Sequence, residues 1–169
     1  MKYFIPMIIL SLVLLSCSKE DEKTDTTTVL EGTWKSACYT DSDNNSFYAT
    51  PTFAGNVLTI TNERHSDTSC ATDYSLEKYS FTFSIGDAVT FSNGKTGHKF
   101  TVTLGSTFKI TPQSASAVSD FDSSRKCDKI DWAEDTEKEC SVDEDDVGDT
   151  ILCLYQLDGN NFYPDCNDS

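Results

Sequence analysis

The chain has 169 residues, with 13 Lys and Arg against 28 Asp and Glu, a formal net charge of −15 and a pI of about 4.2. A molecule this acidic repels nucleic acid and anionic lipid rather than binding them, and no run of the sequence reads as a basic recognition patch. The length beyond the first 29 residues suffices for one domain with a real core.

The first element is apolar. Lys2 precedes a run from Tyr3 to Leu15, and the small residue Ser16 precedes Cys17. The run is about 13 residues, whereas a membrane span needs roughly 20, and Pro6 interrupts it. The order of charge, apolar stretch and small residue before a cysteine resembles a bacterial lipoprotein signal peptide with its lipobox. The resemblance implies cleavage before Cys17, acylation of the Cys17 thiol, and a mature chain of 153 residues attached to a membrane by lipid. Lys2 is the only charge removed, so the mature chain carries a net charge of −16.

Residues 17–29 follow as a polar tether without apolar period. Ser18 is not the aspartate that retains many lipoproteins in the inner membrane. The set Ser18-Lys19-Glu20-Asp21-Glu22 is similar to the surface-export signal of Bacteroidota lipoproteins. It implies a lipid-anchored outer-membrane protein at the cell surface. An ordinary hydrophilic linker would leave the periplasmic face as the alternative.

Residues 30–169 read as one all-β domain with a Ser-rich and acidic insertion at 113–150. Strands are predicted at Thr33–Thr40, Phe47–Phe53 and Val57–Glu63. Period-two alternation then places Tyr79, Phe81, Phe83 and Ile85 on one face, followed by a strand at Ala88–Ser92. Phe100, Val102 and Leu104 repeat the pattern, as do Phe108 and Ile110. The last strands are Thr150–Leu157 and Asn161–Asp165. Turns are predicted at Gly55-Asn56, Gly86-Asp87, Asn93-Gly94, Gly105-Ser106 and Asp158-Gly159-Asn160. A short helix is allowed only at Ile130 to Cys140. Many short strands with tight turns indicate an antiparallel barrel, with a small disulfide-stapled sandwich as the alternative.

There are seven cysteines. Assigning Cys17 to lipid leaves Cys38, Cys70, Cys127, Cys140, Cys153 and Cys166, an even number that reads as three disulfides in an exported chain. A type II′ turn at Gly159-Asn160 sets Asp158 opposite Asn161. Counting outward, Cys153 faces Cys166 in a non-hydrogen-bonded pair, where opposed side chains are closest. Pro164 then faces Tyr155, where its missing N–H breaks no ladder bond. The remaining connectivity stays open. The favoured pairing joins Cys127 to Cys140, closing the acidic loop, and Cys38 to Cys70.

The triplet Gly32-Thr33-Trp34 opens the first strand. Gly-x-Trp in that place, with this strand count and length, resembles the start of a lipocalin. The resemblance implies an eight-stranded up-and-down barrel, Trp34 plugging its closed end beside Gly32, and a small hydrophobic ligand inside. The departures are specific. Thr72-Asp73-Tyr74 comes too early for the family's Thr-Asp-Tyr motif, neither Arg64 nor Arg125 matches its late arginine, and the insertion interrupts the last strands.

No catalytic group is assigned. His65 and His98 lie far apart, no Gly-x-Ser-x-Gly elbow occurs, and Ser75-Leu76-Glu77-Lys78 matches Ser-x-x-Lys without the companion motifs. No Cys-x-x-Cys pair suggests zinc. Asp41 to Ser46 starts like a calcium loop but has Ser46 in place of the glycine and Thr52 in place of the glutamate, so an Asx-rich turn is the simpler reading. Asp143 to Asp149 holds five acids and reads as a solvated acidic loop. The expectation is a monomeric, non-enzymatic lipoprotein without cofactor or metal. It either holds a small hydrophobic ligand in its barrel or contacts a partner through the acidic, disulfide-closed loop.

Overall fold

The computed structural model describes residues 30–41, 45–158 and 161–167. The signal peptide, Cys17 and the tether lie outside the described residues, as do residues 42–44 of the calcium-like loop and residues 159 and 160 of the last turn.

The fold is all-β: one antiparallel sheet curled into a half-barrel. Its strands are β1 (Gly32–Thr33), β2 (Tyr39–Thr40), β3 (Ser46–Ala54), β4 (Val57–His65), β5 (Asp73–Thr90), β6 (Thr96–Pro112), β7 (Lys138–Ser141), β8 (Thr150–Asp158) and β9 (Asn161–Asn167). The spatial order is β1-β3-β4-β5-β6-β8-β9, with β2 also on β3 and β7 also on β6. Between β6 and β7 lies one helix, α1 (Ala115–Ser124), followed by a short turn at Lys126–Asp128.

Alternation builds the concave face, because successive side chains of a strand point to opposite sides. Phe53, Leu58, Phe83, Phe100, Val102, Cys153, Tyr155 and Phe162 are buried there together with Leu30. The curl brings the ends of the sheet together. Trp34, just after β1, packs on Phe162 of β9 with ring centroids 5.3 Å apart.

Two predicted turns are absent. Gly86-Asp87 and Gly105-Ser106 lie inside β5 and β6, which run 18 and 17 residues instead of breaking into shorter strands. The register between them shifts at Tyr79/Phe81 and at Ile85/Ala88. Glycine inside a strand marks a bulge or a close backbone approach as readily as a turn. A Cβ on Gly105 would lie 2.9 Å from the Ser80 carbonyl oxygen, so that position admits no side chain without movement.

The helix also forms elsewhere than expected. Ile130 to Cys140 is largely irregular and ends in β7, with Asp131 and Asp135 in the left-handed region. The helix occupies the Ser-rich stretch instead. Ser114 is its N-cap, extended at φ −150° and ψ 155°, and its Oγ accepts from the Ala117 N–H at 3.3 Å. Arg125 ends it in the left-handed conformation. The predicted first strand is realised as the two short pieces β1 and β2, both paired with β3.

Candidate functional site

Three places compete for function: the concave face, the insertion, and a cleft between the insertion and the sheet. On the concave face, the Trp34 N–H donates to the Pro51 carbonyl at 3.0 Å, and its ring meets Phe53 edge-on at 5.6 Å. Gly32 has φ +135°, and a Cβ there would lie 3.6 Å from the Trp34 ring. That is an ordinary contact distance, so the backbone conformation rather than the space beside the ring is what favours glycine there. Phe53 touches Phe83, Phe100 and Phe162 in turn, so the interior beside Trp34 is occupied by the protein's own rings.

The insertion is a second packed unit. Ile110, Ala117, Phe121, Trp132 and Cys140 form a cluster separate from the concave core. The disulfide Cys127–Cys140 closes the loop, and Asp122 accepts from the Trp132 N–H at 2.9 Å. Glu137 accepts from Lys109 of β6 at 2.8 Å and from Lys78 of β5 at 3.3 Å, tying the loop to the sheet. Lys109 lowers the Glu137 carboxyl below its ordinary value, chiefly by that hydrogen bond. Asp143, Glu144, Asp145 and Asp149 remain exposed. Among the described residues no group of three metal-ligating side chains converges.

The other two bridges are Cys38–Cys70 and Cys153–Cys166. The register of β8 with β9 sets Asp158 against Asn161, Tyr155 against Pro164 and Cys153 against Cys166. This is the count made from the turn, and the cysteine Cα atoms are 4.1 Å apart.

The cleft has a volume of about 580 Å³, within the range usual for small-molecule sites. The end of β4 supplies Arg64 and His65, the start of β5 supplies Tyr74, and α1 with the residue two beyond it supplies Asp120, Phe121 and Lys126. Arg64 Nη1 is 3.2 Å from Glu77 Oε1. Glu77 is buried and also accepts from the Tyr79 hydroxyl at 3.0 Å, so its charge is paired and hydrogen-bonded. The His65 ring lies edge-on to Tyr48 at 5.4 Å. Its Nδ1 is 3.4 Å from Asp73 Oδ1, out of hydrogen-bonding alignment, and neither ring nitrogen has a hydrogen-bond partner among the described residues. The Tyr74 hydroxyl donates to Asp120 at 3.0 Å. Burial, and then that bond, push its pKa up to about 12, so it stays a donor at neutral pH.

The sequence reading singled out neither Arg64 nor Lys126 for function. The available signal was the scarcity of cations in so acidic a chain, but their meeting depends on strand register and on the helix in the insertion. No family model matches this chain, and no curated protein matches it.

Proposed function

We propose that this is a lipid-anchored outer-membrane lipoprotein displayed at the cell surface, in which the half-barrel is a scaffold and residues 113–150 contact a partner. Its role is binding rather than catalysis. The observation that carries the reading is the construction of the insertion. It has its own apolar cluster, a disulfide and two lysine ties to the sheet, yet it leaves Asp143, Glu144, Asp145 and Asp149 exposed. The acids themselves follow β7, outside the Cys127–Cys140 ring, and backbone bonds hold their loop to β6: the Val142 N–H donates to Ser106, the Gly148 N–H donates to Leu104, and Asp149 accepts from the Leu104 N–H. A loop fastened in this way presents its charge at little conformational cost, and charge of one sign selects a partner with a basic surface.

The anchor is tested by Cys17→Ala, which should abolish palmitate labelling and release the chain from the membrane fraction. Surface display predicts that protease added to intact cells removes the domain. The contact is tested by replacing Asp143, Glu144, Asp145 and Asp149 with their amides. Cross-linking to the partner should fall while the melting temperature holds, and unchanged cross-linking would remove the basis of the reading.

A second reading, a small hydrophobic ligand on the concave face, is favoured by the curl of the sheet and the continuous aromatic lining from Trp34 to Tyr155. Such a ligand would have to displace packed rings. Titration of the full chain with a fluorescent fatty acid or retinoid tests it: saturable, displaceable fluorescence supports the reading, and its absence rejects it.

A further inference from the structure

The cleft between α1 and the sheet is used by neither reading. In a chain of net charge −15, Arg64, His65 and Lys126 line one opening. Lys126 makes no ion pair among the described residues. Arg64 is held at one nitrogen by the buried carboxylate of Glu77, and the rest of its fork makes no other hydrogen bond among the described residues. An arginine fixed on one side and open on the other presents planar donors suited to a two-oxygen anion.

The α1 side of the cleft adds Asp120, Ser123 and Ser124 to the lining. The Ser123 hydroxyl donates to the Asp120 carbonyl at 3.1 Å, and the Ser124 hydroxyl donates to the Phe121 carbonyl at 3.4 Å. Their donors are used internally, and their oxygens are left as acceptors. Asp120 is a further acceptor, already bound by Tyr74. Acceptors and cations lining one cleft call for a ligand that carries hydroxyl groups beside an anionic group. Asp120 and the overall negative field disfavour a dianion, so a carboxylate fits better than a phosphate.

We propose that this cleft binds a small hydroxylated carboxylate, with Arg64 and Lys126 gripping the carboxylate and the Ser123–Ser124 wall accepting from its hydroxyls. The site is independent of the exposed acids at 143–149, so its failure and that of the partner reading are read separately.

The test is calorimetric titration of the full chain in detergent with D-glucuronate, D-glucose and inorganic phosphate. Saturable glucuronate binding is expected, with glucose and phosphate each at least about tenfold weaker, the scale of a lost charge-assisted contact. Arg64→Ala should weaken glucuronate at least about tenfold. Because that change also leaves Glu77 unpaired, Lys126→Glu serves as the second variant. It should produce a comparable loss with the melting temperature unchanged. Lys99→Ala, toward the opposite end of the β5–β6 pair, should bind as the parent does. The assignment is overturned if glucuronate does not saturate, if phosphate binds as tightly, or if Lys126→Glu leaves binding intact.

Discussion

The concave core and the insertion are both small aromatic clusters beside a disulfide, and they are built in opposite ways. In the concave core, Phe53, Phe83, Phe100, Tyr155 and Phe162 arrive from five different strands, and ladder pairing fixes their positions before any side chain is considered. In the insertion, Phe121 and Trp132 meet at 5.2 Å through a capped helix and an irregular return. Arg125, Cys127, Asp128, Asp131 and Asp135 there all adopt positive φ. Such residues cost free energy, and the surrounding contacts must hold them in place. Stability in the first region is distributed over long-range pairs, whereas in the second it rests on a few local fastenings.

The largest expected effect is in the concave core. Phe53 is 2% exposed, and its ring meets those of Trp34, Phe83, Phe100 and Phe162. Phe53→Ala should cost about 3–5 kcal/mol and lower the melting temperature of the whole domain. Trp132→Ala in the insertion should instead raise amide exchange between residues 115 and 141, with β3 to β5 still protected. If Trp132→Ala deprotects the sheet as much as Phe53→Ala does, the two regions are one cooperative unit.

The disulfides sharpen the comparison, because Cys127–Cys140 and Cys153–Cys166 each span a sequence separation of 13. If bridges act by restricting the unfolded chain, equal spans contribute equally, about 3 kcal/mol each. Replacing either pair by alanine should therefore lower global stability by similar amounts in denaturant titrations. The native states should respond differently. Cys153 and Cys166 are already neighbours in a ladder that continues on both sides, so β8 and β9 should remain protected. Without Cys127–Cys140, the left-handed residues from Arg125 to Asp135 lose their clamp, and their amides should exchange faster.

The same contrast explains what the sequence made legible. The β8–β9 register followed from three local facts: a Gly-Asn turn, two cysteines at equal offsets, and a proline that must avoid a ladder bond. The apolar face of β5 and β6 followed from alternation. Their lengths did not, because Gly86 and Gly105 read as turns when they are places where the backbones irregularly or closely approach. The helix was hidden because serines favour turns, and only Ser114 as a cap converts the stretch to a helix start. The cleft was least legible. Arg64 and Glu77 are diagonal neighbours only once Asn62 is known to face Glu77, and Lys126 joins the lining of the cleft only because α1 precedes it.

The helix start can be broken by one atom. Ser114→Ala removes the acceptor for the Ala117 N–H and should cost about 1 kcal/mol. The loss should appear as faster exchange at the first turn of α1. An unchanged first turn would mean that burial of Ala117 and Phe121 fixes the helix without its cap.

The smallest effect is also the one whose sign is most constrained. The Lys109 hydrogen bond, reinforced by Lys78, holds the Glu137 carboxyl below its ordinary value in the folded state. A carboxyl with a depressed folded pKa binds fewer protons folded than unfolded. Its stabilisation is present above the ordinary carboxylate range and is lost as pH falls through the folded value. The groups are solvated, so the contribution is small and salt weakens it further. Glu137→Gln should therefore melt slightly below the parent near neutral pH in low salt, and the gap should close on acidification. The gap should also narrow in high salt at fixed neutral pH. A gap that persists unchanged into acid would mean that Glu137 fastens the insertion to the sheet by packing or neutral hydrogen bonds rather than by charge, and the insertion would then resemble the concave core more than its construction suggests.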